Sequence, residues 1–268
     1  MEHTKPITPV KNRIVSLDVL RGFALLGILT MNIIIFALPF MHYANPSVAG
    51  ELQGLNKWEF DFNYVFCNLR FMSIFSILFG AGVVLFTQKA ARFANNLAER
   101  QLHYFRNFWL FVFGLLHAYL IWHGDILVMY AICSTWVYLY RKQSPKTLFI
   151  WAVALIVFNT LIYFGFDQLI KLIPEDMYDQ VCEEGWNISA EKLSEETLAY
   201  RGTWQQQMSY RLSYAFKAQS LIFFFGFHTT ALMLIGMALY KLNILNAGKS
   251  NAFYLKMLVI GLLIGLPI

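Results

Sequence analysis

Long apolar runs separated by short polar ones dominate the chain. Leu17 to Met41 is apolar apart from Asp18, Arg21 and Asn32. That run is too long for the roughly 7 to 15 residue core of a signal peptide and predicts an uncleaved first membrane helix. About 20 residues are needed to cross the hydrocarbon core. Further spans are predicted from about Tyr64 to Thr87 with Arg70 inside, Phe108 to Trp122, Ile126 to Tyr140, Thr147 to Phe166, and Leu221 to Tyr240 with His228 inside. Only His123, Gly124 and Asp125 separate the third and fourth spans, which forces an antiparallel hairpin. A seventh run begins near Tyr254 and reaches Ile268 with no polar residue after it, so the chain is expected to be truncated at its C-terminus. The fold expected is an all-α, polytopic transmembrane helical bundle with about seven spans.

Composition agrees with that pattern. Hydrophobic residues make up 58% of the 268 and charged ones 14%, with a mean hydropathy of +0.50, whereas soluble domains carry about a quarter charged residues. A globular cytosolic enzyme, a disordered chain and a secreted disulfide scaffold are disfavoured. The net charge of +5 comes from 21 Lys and Arg scattered between the apolar runs, not gathered into a stripe, so no nucleic-acid partner is expected. Cys67 and Cys133 lie inside apolar runs, and no Cys/His spacing of zinc type is present, so no metal is expected.

Basic residues report topology. Lys5, Lys11 and Arg13 precede the first span; Lys89, Arg92, Arg100 and Arg106 join the second and third; Arg141, Lys142 and Lys146 join the fourth and fifth; Lys241, Lys249 and Lys256 follow the sixth. All fall on one side, which makes the N-terminus cytoplasmic. Residues 1–268 form a single integral membrane domain with an acidic extracytoplasmic segment at 167–219. In its later half Trp204, Met208, Leu212 and Ala215 recur at helical spacing, predicting an amphipathic helix on the outer membrane face.

An ionisable side chain at mid-depth costs at least about 2.5 to 3.5 kcal/mol, so such residues are the candidates for chemistry. Asp18 and Arg21, three apart at the cytoplasmic end of the first helix, either pair at the interface or open a route inward. Asn32, three turns beyond Arg21, extends the polar face. Arg70 either snorkels to the outer interface, pairs with a carboxylate to fix packing, or faces a polar interior. Asp125 can cap the fourth helix or orient His123, and Gly124 can supply a positive φ. By this topology His42, Arg70, His117, His123, Asp125 and His228 all lie towards the outer face, and together they point to one polar cavity. Gly80 to Gly82 fits close helix packing better than a phosphate cradle.

Three stretches, LDVLRGFALLGILTMN (Leu17 to Asn32), LRFMSIFSILFGAG (Leu69 to Gly82) and GLLHAYLIWHGDIL (Gly114 to Leu127), resemble in order and interval the signatures of the YeiB-type bacterial inner-membrane proteins, a family of poorly defined function. Tyr200, Arg201 and Gly202 resemble a further feature of it. Its members continue with more membrane helices. The family is distantly similar to transmembrane acyltransferases that open with SLDxxRG, here Ser16 to Gly22, and use a membrane-embedded histidine. His42 follows the first span as that pattern asks, although the interval to the second helix is longer.

The resemblance implies a multi-pass protein of the bacterial inner membrane that moves an acyl group from a cytosolic donor, acyl-CoA, to an envelope glycan or lipid. It implies no bound cofactor. The resemblance carries over Asp18, Arg21 and His42; together with the placement of the polar residues, the roles expected are His42, Arg70, His123 and Asp125 as catalytic groups and Asp18, Arg21, Asn32, His117, Arg201 and His228 as substrate-binding groups. Histidine serves as base near neutral pH and arginine as oxyanion stabiliser. The alternative class is a small-molecule transporter or exporter, for which intramembrane Arg and His are equally expected.

Overall fold

A computed structural model of the chain describes residues 13–49, 52–93, 96–186 and 188–265; Lys5, Lys11 and Ile268 lie outside them. All elements among the described residues are helical: α1 (Val15–Ala37), α2 (Met41–Ala44), α3 (Gly54–Phe62), α4 (Arg70–Phe93), α5 (Asn96–Leu116), α6 (Leu127–Val137), α7 (Pro145–Ile170), α8 (Glu175–Gly185), α9 (Ala190–Arg201), α10 (Trp204–Ser220), α11 (Ile222–Lys241) and α12 (Asn251–Gly265). Among the described residues five stretches are long and apolar enough to cross a membrane: Val15–Ala37, Gly54–Ala90, Glu99–Ile121, Pro145–Ile170 and Ile222–Lys241.

The other two expected spans are shorter, Leu127–Tyr140 and Asn251–Gly265. At 1.5 Å per residue α6 and the single 3-10 turn after it rise about 22 Å, against a hydrocarbon core of about 30 Å. Helix α6 is largely covered by protein, with Met129, Tyr130, Ala131, Cys133 and Val137 buried and only an edge at Ile132 and Trp136 exposed, so its length need not match the bilayer.

Hydrogen bonds gather the helix ends into two groups. At one, Ser16 Oγ donates to Leu245 O (2.8 Å), and Lys241 Nζ donates to Arg141 O and Gln143 O (both 2.6 Å). At the other, Phe40 N donates to Glu196 Oε1 (3.1 Å) and Tyr119 OH to Gln219 Oε1 (3.1 Å). The first group holds Arg13, Lys89, Arg141 and Lys146 and is called the basic end below.

The tightest packing joins α4 to α11. A methyl group on Gly80 would overlap the Met233 carbonyl, and one on Gly236 would overlap the Ile77 carbonyl. Each helix thus lays a bare glycine against the other's backbone, as small residues allow in membrane interfaces. Around this contact lie Val83, Val84, Leu148, Ala152, Met233, Leu234 and Met237, all buried.

The second span is not one smooth helix. Helix α3 loosens into a π turn (Asn63–Cys67), and Leu69 takes φ 59° before α4 starts at Arg70. A left-handed non-glycine residue costs about 1 to 3 kcal/mol and persists only where surroundings hold it. Arg70 Nη1 donates back to Asn68 O (3.3 Å) and Tyr64 O (3.5 Å), two carbonyls at the break. Beyond α7, residues 171–220 fold into α8, α9 and α10. Helix α10 buries Arg211 and Ala215 and leaves Trp204 56% and Leu212 43% exposed. The side packed against protein is thus centred on Arg211 and Ala215, while Trp204 and Leu212 of the apolar stripe lie on the exposed side.

Candidate functional site

The turn between α5 and α6 is the hub of the site. Helix α5 passes into a second π turn (His117–Ile121), closed by Trp122 N donating to His117 O (2.8 Å). Such turns shift side-chain direction within a helix and recur at functional sites. The chain then runs extended through Trp122. Gly124 is not in the left-handed region; a side chain there would overlap the Trp122 indole instead.

Asp125 does two things. Its Oδ2 accepts from Val128 N (2.8 Å), capping the first turn of α6 as expected. Its Oδ1 meets His117 Nδ1 at 2.9 Å, with the aspartate side chain 2% exposed. The sequence expectation paired Asp125 with His123. The π turn brings His117 round to the carboxylate instead, and an Asp partner at Nδ1 leaves the lone pair on Nε2.

His123 is buried on the other side of Trp122. Its Nδ1 is 3.5 Å from Tyr200 OH, and its Nε2 has no partner. The ring packs against Tyr214 (5.2 Å), Phe40 (5.7 Å) and Trp122 (5.9 Å). Burial pushes its pKa down to about 4, with the Arg211 charge adding to the shift, so it is neutral at physiological pH. Glu196, 1% exposed, accepts from Phe40 N and from Tyr214 OH (3.0 Å). Burial raises the Tyr214 hydroxyl pKa, with the Glu196 charge adding. Arg211 donates to Leu120 O (3.0 Å) and to Gln207 Oε1 (2.9 Å), closing the end of the π turn from above.

Besides a cavity of about 230 Å³ against His123, Asp125, Met129 and Ile222, three cavities surround this turn and the α1–α4 seam. The first, about 430 Å³ at the basic end, has Arg21, Lys89 and Arg106 in a wall otherwise made by residues such as Leu25, Phe75 and Phe86. The second, about 330 Å³, is lined by Ile28, Asn32, Tyr43, Cys67, Met72, His117 and Trp122 among others. The third, about 270 Å³, lies between residues 35–40 and α9, with His123, Glu196, Tyr200 and Arg201 in its wall. Phe36 borders both the second and third, its ring set edge-on to Trp122 at 4.8 Å.

Of the residues expected to converge, the structure brings together His117, His123 and Asp125, with Asn32 in the second cavity and Arg201 in the third. Asp18 pairs with Arg21 at 3.5 Å and with Arg13 at 3.3 Å, while Arg21 lines the first cavity. His42, Arg70 and His228 stand apart. The His42 ring turns to Pro39 O at 3.3 Å, Arg70 is exposed and bonded to the broken turn, and His228 is half-buried on α11. None of the three lines these cavities.

Sequence reasoning missed Lys89 and Arg106 as partners of Arg21, and Glu196, Tyr214 and Arg211 over His123. Arg211 and Ala215 are four residues apart, so only a helical-face reading of α10 centred on the arginine could have found Arg211. Among the described residues no cluster of His, Cys, Asp and Glu could hold a metal ion.

No family model matches the chain, and no solved structure matches it. It is similar to the uncharacterised protein YxaH of Bacillus subtilis (strain 168), 37% identical over 169 residues, 60% of this chain and 41% of that protein. It is similar to the uncharacterised protein YeiB of Escherichia coli (strain K12), 29% identical over 272 residues, 95% of this chain and 64% of that protein. An uncharacterised 39.9 kDa protein in the amylase 3' region of Bacillus acidopullulyticus is 39% identical over 122 residues, 46% of this chain and 32% of that protein. The chain thus spans less than two thirds of the length of each of these curated relatives. The chain is thus similar to uncharacterised proteins of YeiB type, and its long apolar helices are those of a membrane protein.

Proposed function

We propose that this chain is the core of a membrane acyltransferase of the bacterial inner membrane, taking an acyl group from a cytosolic acyl-CoA to an acceptor at the outer side. The observation that carries the reading is the adjacency of two unlike cavities along one seam. Leu25 and Phe75 line the cationic cavity; Ile28 and Met72, one turn on along α1 and α4, line the His117 cavity. Lys and Arg bias supports placing the basic end in the cytoplasm.

Arg21, Lys89 and Arg106 suit the phosphates of CoA. The eleven residues from Arg21 to Asn32 rise about 16 Å, a length that an extended pantetheine arm covers. The thioester carbonyl then sits beside His117. His117 Nε2 takes the proton of the attacking hydroxyl or amine as the new C–O or C–N bond forms. The C–S bond breaks, and the proton passes to the departing CoA thiolate. Asp125 fixes the imidazole tautomer and stabilises its charged form, the role of the third member of a catalytic triad.

The test is protein reconstituted in vesicles with labelled acyl-CoA. CoA release with labelling of an envelope lipid or glycan is expected. His117→Ala should lower it by about 10² to 10⁴, the usual contribution of a general base. Unchanged turnover in that variant removes the assignment. The break at Leu69, φ 59°, favours the second reading, transport, because broken spans supply binding sites in transporters. Transport predicts flux of a substrate that emerges chemically unaltered.

A further inference from the structure

The third cavity has two unlike walls. One is the end of α1 and the segment after it, with Ile35, Phe36 and Phe40; the other is α9, with Glu196, Tyr200 and Arg201. His123 joins them, 6% exposed, with Nε2 unpartnered. A buried ring nitrogen without a partner carries an uncompensated desolvation cost unless a ligand meets it. The apolar wall continues along α1 through Ile33 and Leu29, both more than half exposed, on a helix read as facing lipid. A ligand lying here would have a polar end beside α9 and an apolar end along α1.

Charge narrows its class. Arg201 and Glu196 line the cavity, and Arg211 is close enough to act on His123 and Tyr200. Glu196 is engaged by Phe40 N and Tyr214 OH, and Arg211 by Leu120 O and Gln207 Oε1, whereas no hydrogen bond or ion pair among the described residues holds Arg201, so the cation left in the wall is Arg201, which matches a phosphodiester. Both Glu196 oxygens already accept a hydrogen bond, from Phe40 N and Tyr214 OH, so an ammonium group would share the carboxylate with two donors already in place. A hydroxyl finds the imidazole of His123.

We propose that the cavity seats the headgroup of an outer-leaflet phosphodiester lipid that ends in hydroxyls, with its phosphate at Arg201, its hydroxyls at His123 and its chains along α1. The site rests on the outer placement of this end and on no chemistry at His117.

Native mass spectrometry of protein purified with a mixture of phosphatidylglycerol and phosphatidylethanolamine of equal chain length tests it. Preferential retention of phosphatidylglycerol is expected. Arg201→Ala should reduce it by about tenfold or more, the loss of one charge-assisted hydrogen bond. His123→Phe should lower it while keeping the aromatic packing, and Arg70→Ala should leave it unchanged. Thermal melts of each variant separate loss of the site from loss of the fold. Equal retention of the two lipids, or retention indifferent to Arg201→Ala in a folded protein, overturns the proposal. Displacement by soluble glycerophosphoglycerol at concentrations equal to the lipid overturns the lipid source and leaves a free phosphodiester as ligand.

Discussion

On one face of α4, Gly80 lies against the backbone of α11, and Gly236 returns the contact onto Ile77. On another, α1 stands far enough off to leave cavities of about 430 and 330 Å³. Gly27 shows how differently a glycine is used there. It is covered by the ring of Phe71, a movable side chain, and not by a neighbour's backbone. The comparison separates a rigid half, α4 with α6, α7 and α11, from a looser half in which α1 closes over the spaces. Without hydrophobic drive between helices in lipid, close backbone approach supplies the rigidity. Where that approach is given up, room for a ligand appears.

The comparison can be broken most forcefully at the dyad. Asp125→Ala removes both the His117 partner and the α6 cap. Acyl transfer should fall by about 10² or more, and stability by about 1 kcal/mol for the lost cap. His117→Ala should produce the loss of turnover while leaving the cap in place, its destabilisation coming from the unpaired Asp125 carboxylate, measured by turnover and thermal melting of the same preparations. Next comes the rigid face. Gly80→Ala or Gly236→Ala forces a Cβ into a carbonyl and should destabilise by about 1 to 3 kcal/mol, as overpacking does. Gly27→Ala should cost less, because Phe71 can swing aside. Equal losses at Gly80 and Gly27 would erase the distinction between the two faces.

A smaller effect comes from His123. Its folded pKa near 4 lies below the ordinary value of 6.5, so between those values the unfolded state binds more protons. Its contribution to stability is complete above about pH 6.5 and is lost as pH falls towards 4, by at most about 1.4 kcal/mol per pH unit. His123→Phe should flatten that part of the acid limb; an unchanged pH profile would mean that the ring is solvated. The smallest effect belongs to Arg70→Ala, which removes two hydrogen bonds from an exposed side chain and should cost about 1 kcal/mol or less, with turnover unaltered.

Much of this was legible in the sequence. The five long spans, the α5–α6 hairpin, the Asp18–Arg21 pair and the Asp125 cap follow from run length and from spacings of a few residues. The buried role of α6 did not follow, because an apolar run of 14 residues reads alike as a short span or a sheathed core helix. The choice of His117 over His123 as the Asp125 partner depends on a π turn, which no local pattern announces. Arg21 meets Lys89 and Arg106, and Phe40 meets Glu196, across separations that helix packing alone decides. Arg70 was misleading for a physical reason. Tyr64 to Thr87 reads as one continuous helix, which hides the break at Leu69 whose neighbouring carbonyls the guanidinium satisfies.

The central claim is that one acyl-CoA lies along the α1–α4 seam with its phosphates in the cationic cavity and its acyl end beside His117. Photo-crosslinking with an acyl-CoA bearing a diazirine on the acyl chain measures this directly. Label on the residues of the second cavity, Met31, Asn32 or Met72, displaced by excess CoA and lost in a combined Arg21→Ala, Arg106→Ala variant, is the predicted result. Label confined to lipid-facing residues of α7 or α12 and insensitive to CoA would contradict it.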